Sequence, residues 1–322
     1  MKKLAQSVVM SAVFALGVGA TGVANAQSDY PNKPITLIVP YAAGGTTDII
    51  GRALADGMGK ALGQTIVVEN KPGAAGSMGA NEMVTTKPDG YRLALTPVGI
   101  FRQPYLQKTR YDPIKDLTYI AAFSTYDFAF TVAADSSFKT LEDVVKYAKA
   151  NPGDLDFSTP GQYSGNQVAM VQLSNAAGFE ATHIPFKSDA EAITALLGGH
   201  LKVSVLTNVV IPMMQAGKVR VLATAADVRP EAFADVPTVT EAGWPVVVPS
   251  PLGLGGPAGL PQEIVQKLDD AVKSAMKDPA FINALGQYGV RMQYMNHTDY
   301  AEFAKTTFAS EKDLVQSMGL NQ

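Results

Sequence analysis

After Gln27 the chain alternates short apolar runs with segments whose apolar residues recur every three or four positions, a pattern that predicts an α/β fold with mainly parallel strands. Residues 35–39 read as a strand and 47–62 as a helix presenting Ile49, Ile50, Leu54 and Met58 on one face. Strands at 65–69 and 91–96 flank a helix over 77–86, which Pro88-Asp89-Gly90 stops. A second series opens with a strand at 128–133 and a helix at 141–150 capped by Thr140. It continues through a strand at 155–158, a helix at 167–177, and alternating segments at 182–185, 190–197, 203–206, 209–216 and 219–224. The Pro- and Gly-rich stretch 245–259 returns the chain, and 261–277, 279–288 and 298–318 read as helices that pack back on the first lobe. Two lobes satisfy this order, 27–127 with 251–322 and 128–250, joined near Phe128 and Ser250 by connections able to hinge.

Glycines and hydroxyl residues collect where strands give way to helices. Residues 39–48 read Val-Pro-Tyr-Ala-Ala-Gly-Gly-Thr-Thr-Asp. Gly44 and Gly45 admit backbone angles closed to other residues, and Thr46, Thr47 and Asp48 suit a helix start whose amides are free. A carboxylate fits there without any basic side chain, although an ordinary strand-to-helix turn has the same composition. Ligands of open α/β sheets bind beyond the carboxyl ends of strands, where this loop and Thr96-Pro97-Val98-Gly99 both fall. Residues 159–166, Thr-Pro-Gly-Gln-Tyr-Ser-Gly-Asn, repeat the construction in the second lobe. Two such loops can clamp the ends of a small anion with backbone nests and hydroxyls. The third glycine-rich turn, at 70–76, reads as tight packing of a helix on the sheet. Lys187, Ser188, Asp189 and Glu191 cap a helix starting near Ala190 or border the cleft.

Composition narrows the function. Lys2 and Lys3, an apolar run at 8–20 and Ala24-Asn25-Ala26 form an export signal expected to be cleaved after Ala26, so that the mature chain is exported. Removing 26 of 322 residues leaves 296, with 24 basic against 29 acidic side chains and no basic block. Nucleic-acid binding therefore has no electrostatic support. The absence of cysteine excludes disulfides, a lipid-anchor cysteine and thiol catalysis.

Enzyme motifs fail. Gly161-Gln162-Tyr163-Ser164-Gly165 carries its serine one place late for a nucleophile elbow, so a hydrolase using Ser164 is only the alternative reading. No Gly-Lys-Ser/Thr follows the glycine runs. His183, His200 and His297 lack metal-site spacing and read as structural, as does Trp244. No metal or cofactor is expected.

The residues resemble a known family. Tyr30-Pro31-Asn32-Lys33-Pro34-Ile35, the run from Val39 to Asp48, residues 68–76 and Pro88-Asp89-Gly90-Tyr91 are similar to those of the Bug receptors, the extracytoplasmic solute-binding proteins of tripartite tricarboxylate transporters. His183-Ile184-Pro185-Phe186-Lys187, Leu196-Leu197-Gly198-Gly199, residues 215–220, residues 236–243 and Gly256-Pro257-Ala258-Gly259 extend the resemblance in order along the mature chain. It implies a two-lobed α/β periplasmic binding protein, expected to be a monomer, that closes around a small carboxylate and delivers it to a membrane permease. The resemblance places a proximal carboxylate against Tyr41, Ala43, Gly44, Gly45, Thr46 and Thr47, with Thr96, Val98 and Gly99 alongside. The far end of the ligand meets Thr159, Tyr163, Ser164, Gly165 and Asn166, then Lys187, Ser188 and Asp189, then Thr207 and Asn208.

Three departures from the family pattern bear on the ligand. Thr207-Asn208 stands where many relatives carry Asp-Asn, which removes a charge that favours an amino group. The far end of the ligand is then expected to be anionic or neutral, and dicarboxylates, aliphatic or aromatic, lead. Pro251 and Leu252 replace an aromatic residue near the return strand and reshape the cleft. Arg102 either reaches a ligand carboxylate as a bidentate donor or sits solvated at a helix start.

Overall fold

The computed structural model describes residues 30–318. The expected export signal lies outside the described residues. Among the described residues, no helix is long and apolar enough to cross a membrane.

The first lobe alternates β1 (Ile35–Val39), α1 (Thr46–Leu62), β2 (Ile66–Asn70), α2 (Met78–Met83), β3 (Arg92–Pro97), α3 (Gly99–Leu106) and β4 (Leu117–Thr125). The chain crosses into β5 (Ala129–Ala133), α4 (Leu141–Ala150), β6 (Asp156–Thr159), α5 (Gly165–Ala177), β7 (Thr182–Pro185), α6 (Asp189–Leu197), β8 (Val203–Leu206), α7 (Ile211–Gln215) and β9 (Val219–Thr224). It returns as β10 (Pro251–Pro257) and ends with α8 (Gln262–Ala275), α9 (Pro279–Gln287), β11 (Arg291–Met295) and α10 (His297–Ser317). The six-stranded sheet runs β11-β4-β10-β3-β1-β2 and the five-stranded sheet β7-β6-β8-β5-β9.

Apolar residues on both faces of the strands explain the layering. Leu37 and Val39 of β1 pack with Ile50, Leu54 and Met58 of α1 and Leu268 of α8, while Ile38 joins Phe101 and Tyr300 on the opposite face. Helices therefore cover both faces, as a mainly parallel sheet requires. In the second sheet, Phe130 and Phe157 face one core, while Leu206 faces another that includes Ile193 of α6.

The strands that receive the chain after each crossing, β5 and β10, run against their neighbours, as does the edge strand β11. β10 is antiparallel to β3 and β4, and β5 is antiparallel to β8 and β9, whereas β1 pairs in parallel with β2 and β3, and β6 with β7 and β8. The two crossings lie side by side: Thr125 pairs with Pro251, and the Tyr126 amide donates to the Ser250 carbonyl at 3.0 Å.

Sequence periodicity missed α3, β4, β10 and β11. β10, Pro-Leu-Gly-Leu-Gly-Gly-Pro, reads as a loop yet is buried at all seven positions near the middle of the sheet. Its glycines are the reason it fits, since a Cβ on Gly253 would lie 2.3 Å from the Tyr300 ring of α10. The last helix also departs from expectation. Tyr300 and Ala304 pack on the first lobe, but Leu314 and Met318 pack against the core of the second sheet, so α10 spans the two.

Candidate functional site

On the first lobe the Gly-Gly loop leads into α1 with Gly45 as N-cap and no side chain capping the helix. The amides of Thr46, Thr47 and Asp48 have no acceptor among the described residues. They form the positive end of a 17-residue helix, which favours an anion. Gly44 holds φ at +80°, with nothing within 4 Å of the position a Cβ would take. Asp48 is buried and fixes the loop: its carboxylate accepts from the Gly44 amide at 2.8 Å, Arg52 Nε at 3.0 Å and Asn70 Nδ2 at 2.8 Å. Burial works against its ionisation, but these donors prevail and hold its pKa below the usual carboxylate value. Tyr41 lies beside the loop, its phenol pushed up to about 12 by burial.

Helix starts supply the second lobe's share. Ser164 caps α5, its hydroxyl accepting from the Gln167 amide at 3.3 Å, and Ser188 caps α6 by accepting from Glu191 at 3.2 Å. Gly165 allows the α5 start to sit on the crossing, since a Cβ there would lie 2.3 Å from the Phe128 ring. Asp189 opens α6, and its two oxygens accept from the Thr207 amide and hydroxyl, each at 3.2 Å. Burial pushes its carboxyl up to about 6, against the lowering effect of the Thr207 hydrogen bonds.

Tyr126 opens the first crossing. Its hydroxyl hydrogen-bonds Thr47 Oγ1 at 2.8 Å, and after burial and that bond, the charges of Tyr41 and Asp189 act on it. The Gly-Gly loop and Asp189 thus flank one tyrosine at the hinge.

The expected site residues divide by burial. Ala43, Gly44, Gly45, Thr46, Thr47, Gly99, Tyr163, Ser164, Lys187, Ser188, Asp189 and Thr207 keep solvent contact. Thr96, Asn166 and Asn208 are buried, and their side chains are spent inside the protein: Thr96 on Tyr300, Asn166 on the Val205 carbonyl, Asn208 on Asp127 and the Gly289 carbonyl. Thr159 donates to the Gly161 carbonyl at 2.8 Å and meets His183 Nε2 at 2.8 Å, while Val98 packs in the core beside Phe101.

One expectation is corrected. Arg102 is neither a ligand clamp nor solvated: it is 2% exposed and paired through Nε and Nη2 with Glu311, while Nη1 donates to the Tyr163 carbonyl. Asp189, itself an expected site residue, places its carboxyl against Thr207. Sequence reading missed Tyr126, Glu311 and the hinge pair of buried Asp127 with Arg291, whose Nη2 lies 2.8 Å from Asp127 Oδ1. Ser164 serves as a helix cap, and His183 is engaged by Thr159 rather than by Ser164.

Open depressions of about 600 and 610 Å³ lie on α1 with β2 and along α6, and neither includes the Gly-Gly loop.

Comparison with known proteins follows the same lines. The family model for the tripartite tricarboxylate transporter family receptor matches residues 50–320. The chain is 42% identical over 318 residues to the UPF0065 protein in the gbd 5' region of Cupriavidus necator, covering 98% of this chain and 97% of that one. It superimposes on Rpa4515 of R. palustris with adipate at TM-score 0.80 and 25% identity, over 90% of this chain and 98% of that one. MatC of Rhodopseudomonas palustris with bound malate is similar at TM-score 0.77 and 28% identity, over 89% of this chain and 100% of that one.

Proposed function

Because the chain belongs to the tripartite tricarboxylate transporter receptor family, we propose that it captures a small carboxylate, dicarboxylates leading, and delivers it to the membrane permease of such a transporter. The observation that carries this reading is the α1 start, whose unpartnered amides beside exposed Gly44 and Gly45 make an anion seat facing Tyr126. The ligand's proximal carboxylate sits on these amides and its far end meets Tyr163, Ser188, Asp189 and Thr207. The adipate and malate bound by Rpa4515 and MatC support a dicarboxylate. Residues 27–127 with 251–322 form one moving body and 128–250 the other, and the protein acts as a periplasmic monomer after cleavage behind Ala26. Catalysis has no part in this cycle: ligand selects the closed state and the permease reads it.

A thermal-shift panel of mono- and dicarboxylates tests the reading, with mass spectrometry of small molecules released from the purified protein. A ligand at a hundred times its Kd stabilises by about 2.7 kcal/mol. A panel in which no carboxylate shifts the melting temperature overturns the proposal.

A further inference from the structure

We propose that Asp189 makes capture of a dicarboxylate proton-coupled, the far carboxyl of the ligand and the Asp189 carboxyl sharing one proton taken up from solvent. This rests on the reading of the cleft as a dicarboxylate site and adds the charge state in which the ligand is held. The geometry carries it. Both Asp189 oxygens already hold the two donors of Thr207, so Thr207 has no further N–H or O–H for an incoming carboxylate. Among the described residues, Asp189 forms no ion pair with a lysine or arginine, and Arg102 is spent on Glu311.

The groups around Asp189 offer no relief. Tyr126, from the crossing, is a neutral phenol held by Thr47 and raised by burial, with the Asp189 charge adding to the rise. On α6 itself, Glu191 is a second carboxylate, turned toward the Lys187 amide at 3.1 Å. Lys187, exposed two residues before Asp189, makes no ion pair with it among the described residues, and its charge does not act on the Asp189 carboxyl. A ligand carboxylate drawn up to Asp189 therefore meets like charge, and two carboxylates at hydrogen-bonding distance do not both stay ionised. One proton converts the repulsion into an O–H···O⁻ bond. Burial has already brought Asp189 to about 6, so the added negative charge completes its protonation near neutral pH.

Calorimetry with adipate, malate and their monocarboxylate counterparts, in two buffers of different ionisation enthalpy, counts the protons. With a dicarboxylate, the wild-type protein is expected to take up close to one proton at pH 7 to 8, and Kd to rise by up to about tenfold per pH unit above pH 6. Asp189→Asn, with folding checked by circular dichroism, is expected to bind without proton uptake and with a flat pH profile. Binding of a dicarboxylate by the wild type with no proton uptake and no pH dependence overturns the inference and leaves the proposed function standing. Failure of every carboxylate to bind overturns both. The proton count on the wild type decides the question even when the variant does not fold.

Discussion

The Arg102 guanidinium meets the Glu311 carboxylate as a buried two-point pair, Nε to Oε2 and Nη2 to Oε1 at 2.6 Å each, and spends its remaining arm on the Tyr163 carbonyl at 2.8 Å. Arg102 stands on α3 of the first lobe, Glu311 on α10 and Tyr163 on the loop that opens α5. Tyr163 holds a left-handed φ of 62°, and its amide is fixed by Gln167 at 2.6 Å. A loop at the cleft is thus bolted through one side chain to the helix that spans both lobes.

Removing one partner of a buried pair leaves the other charged and desolvated. Arg102→Met is expected to cost roughly 3–5 kcal/mol in urea unfolding, and the double variant with Glu311→Leu to recover most of it. A single-variant cost under about 1 kcal/mol, or no recovery in the double variant, counts against the bolt.

Gly44 tests the anion seat from the backbone. Its φ of +80° strains any L-residue, while the space around it is open, so Gly44→Ala carries a conformational cost of about 1–2 kcal/mol without a clash. Gly45 has φ −78° and accepts a methyl group at ordinary contact distance from the Ala42 carbonyl. Gly44→Ala is therefore expected to lower both melting temperature and carboxylate affinity more than Gly45→Ala does. Equal effects in the two variants would remove the special geometry assigned to Gly44.

What was legible in the sequence was local. Gly44 and Gly45 before a helix, and Ser188 at a helix start, declare themselves because a cap and its amides lie within a few residues. The links that assemble the site are remote. Thr47 and Tyr126 are 79 residues apart, and Arg102 and Glu311 are 209 apart, separations at which no periodicity speaks. β10 was hidden for a different reason: its glycines lack side chains because Tyr300, Thr96 and Leu260 occupy the space at Gly253, Gly255 and Gly256, so a buried strand has the composition of a loop. Asp189 was visible as a residue, but only folding brings it to Thr207 and turns a helix-start acid into a cleft carboxyl.

Asp189 also leaves a mark on the unliganded protein. Its folded pKa of about 6 lies above the ordinary 3.8, so the fold favours the protonated form. That stabilisation is fully present below pH 3.8 and is lost as pH rises through 6, after which a charged, partly desolvated group is carried at a cost. Asp189→Asn is expected to raise stability at pH 7 to 8 by about 1–2 kcal/mol after solvent screening, with the gain vanishing near pH 4. Denaturant titrations of both proteins across that range check the sign, and a loss of stability at pH 8 refutes it.

His183 has the opposite dependence. The Thr159 hydroxyl gives its proton to the Gly161 carbonyl, so the bond at 2.8 Å to His183 places the imidazole proton on Nε2. The ring stacks on Phe157, with centroids 4.9 Å apart, and burial brings its pKa down to about 4 from 6.5. Its folded state binds fewer protons than the unfolded chain between these values, so its contribution is complete above pH 6.5 and is lost as pH falls through 4. Acidification from pH 7 to pH 4 is expected to remove about 2 kcal/mol through this residue, allowing for its partial exposure. His183→Gln, which keeps a donor for Thr159 without a titrating ring, is expected to lose that part of the acid sensitivity. Proton NMR of the His183 ring provides the direct measurement, and a midpoint near 6.5 removes the burial argument.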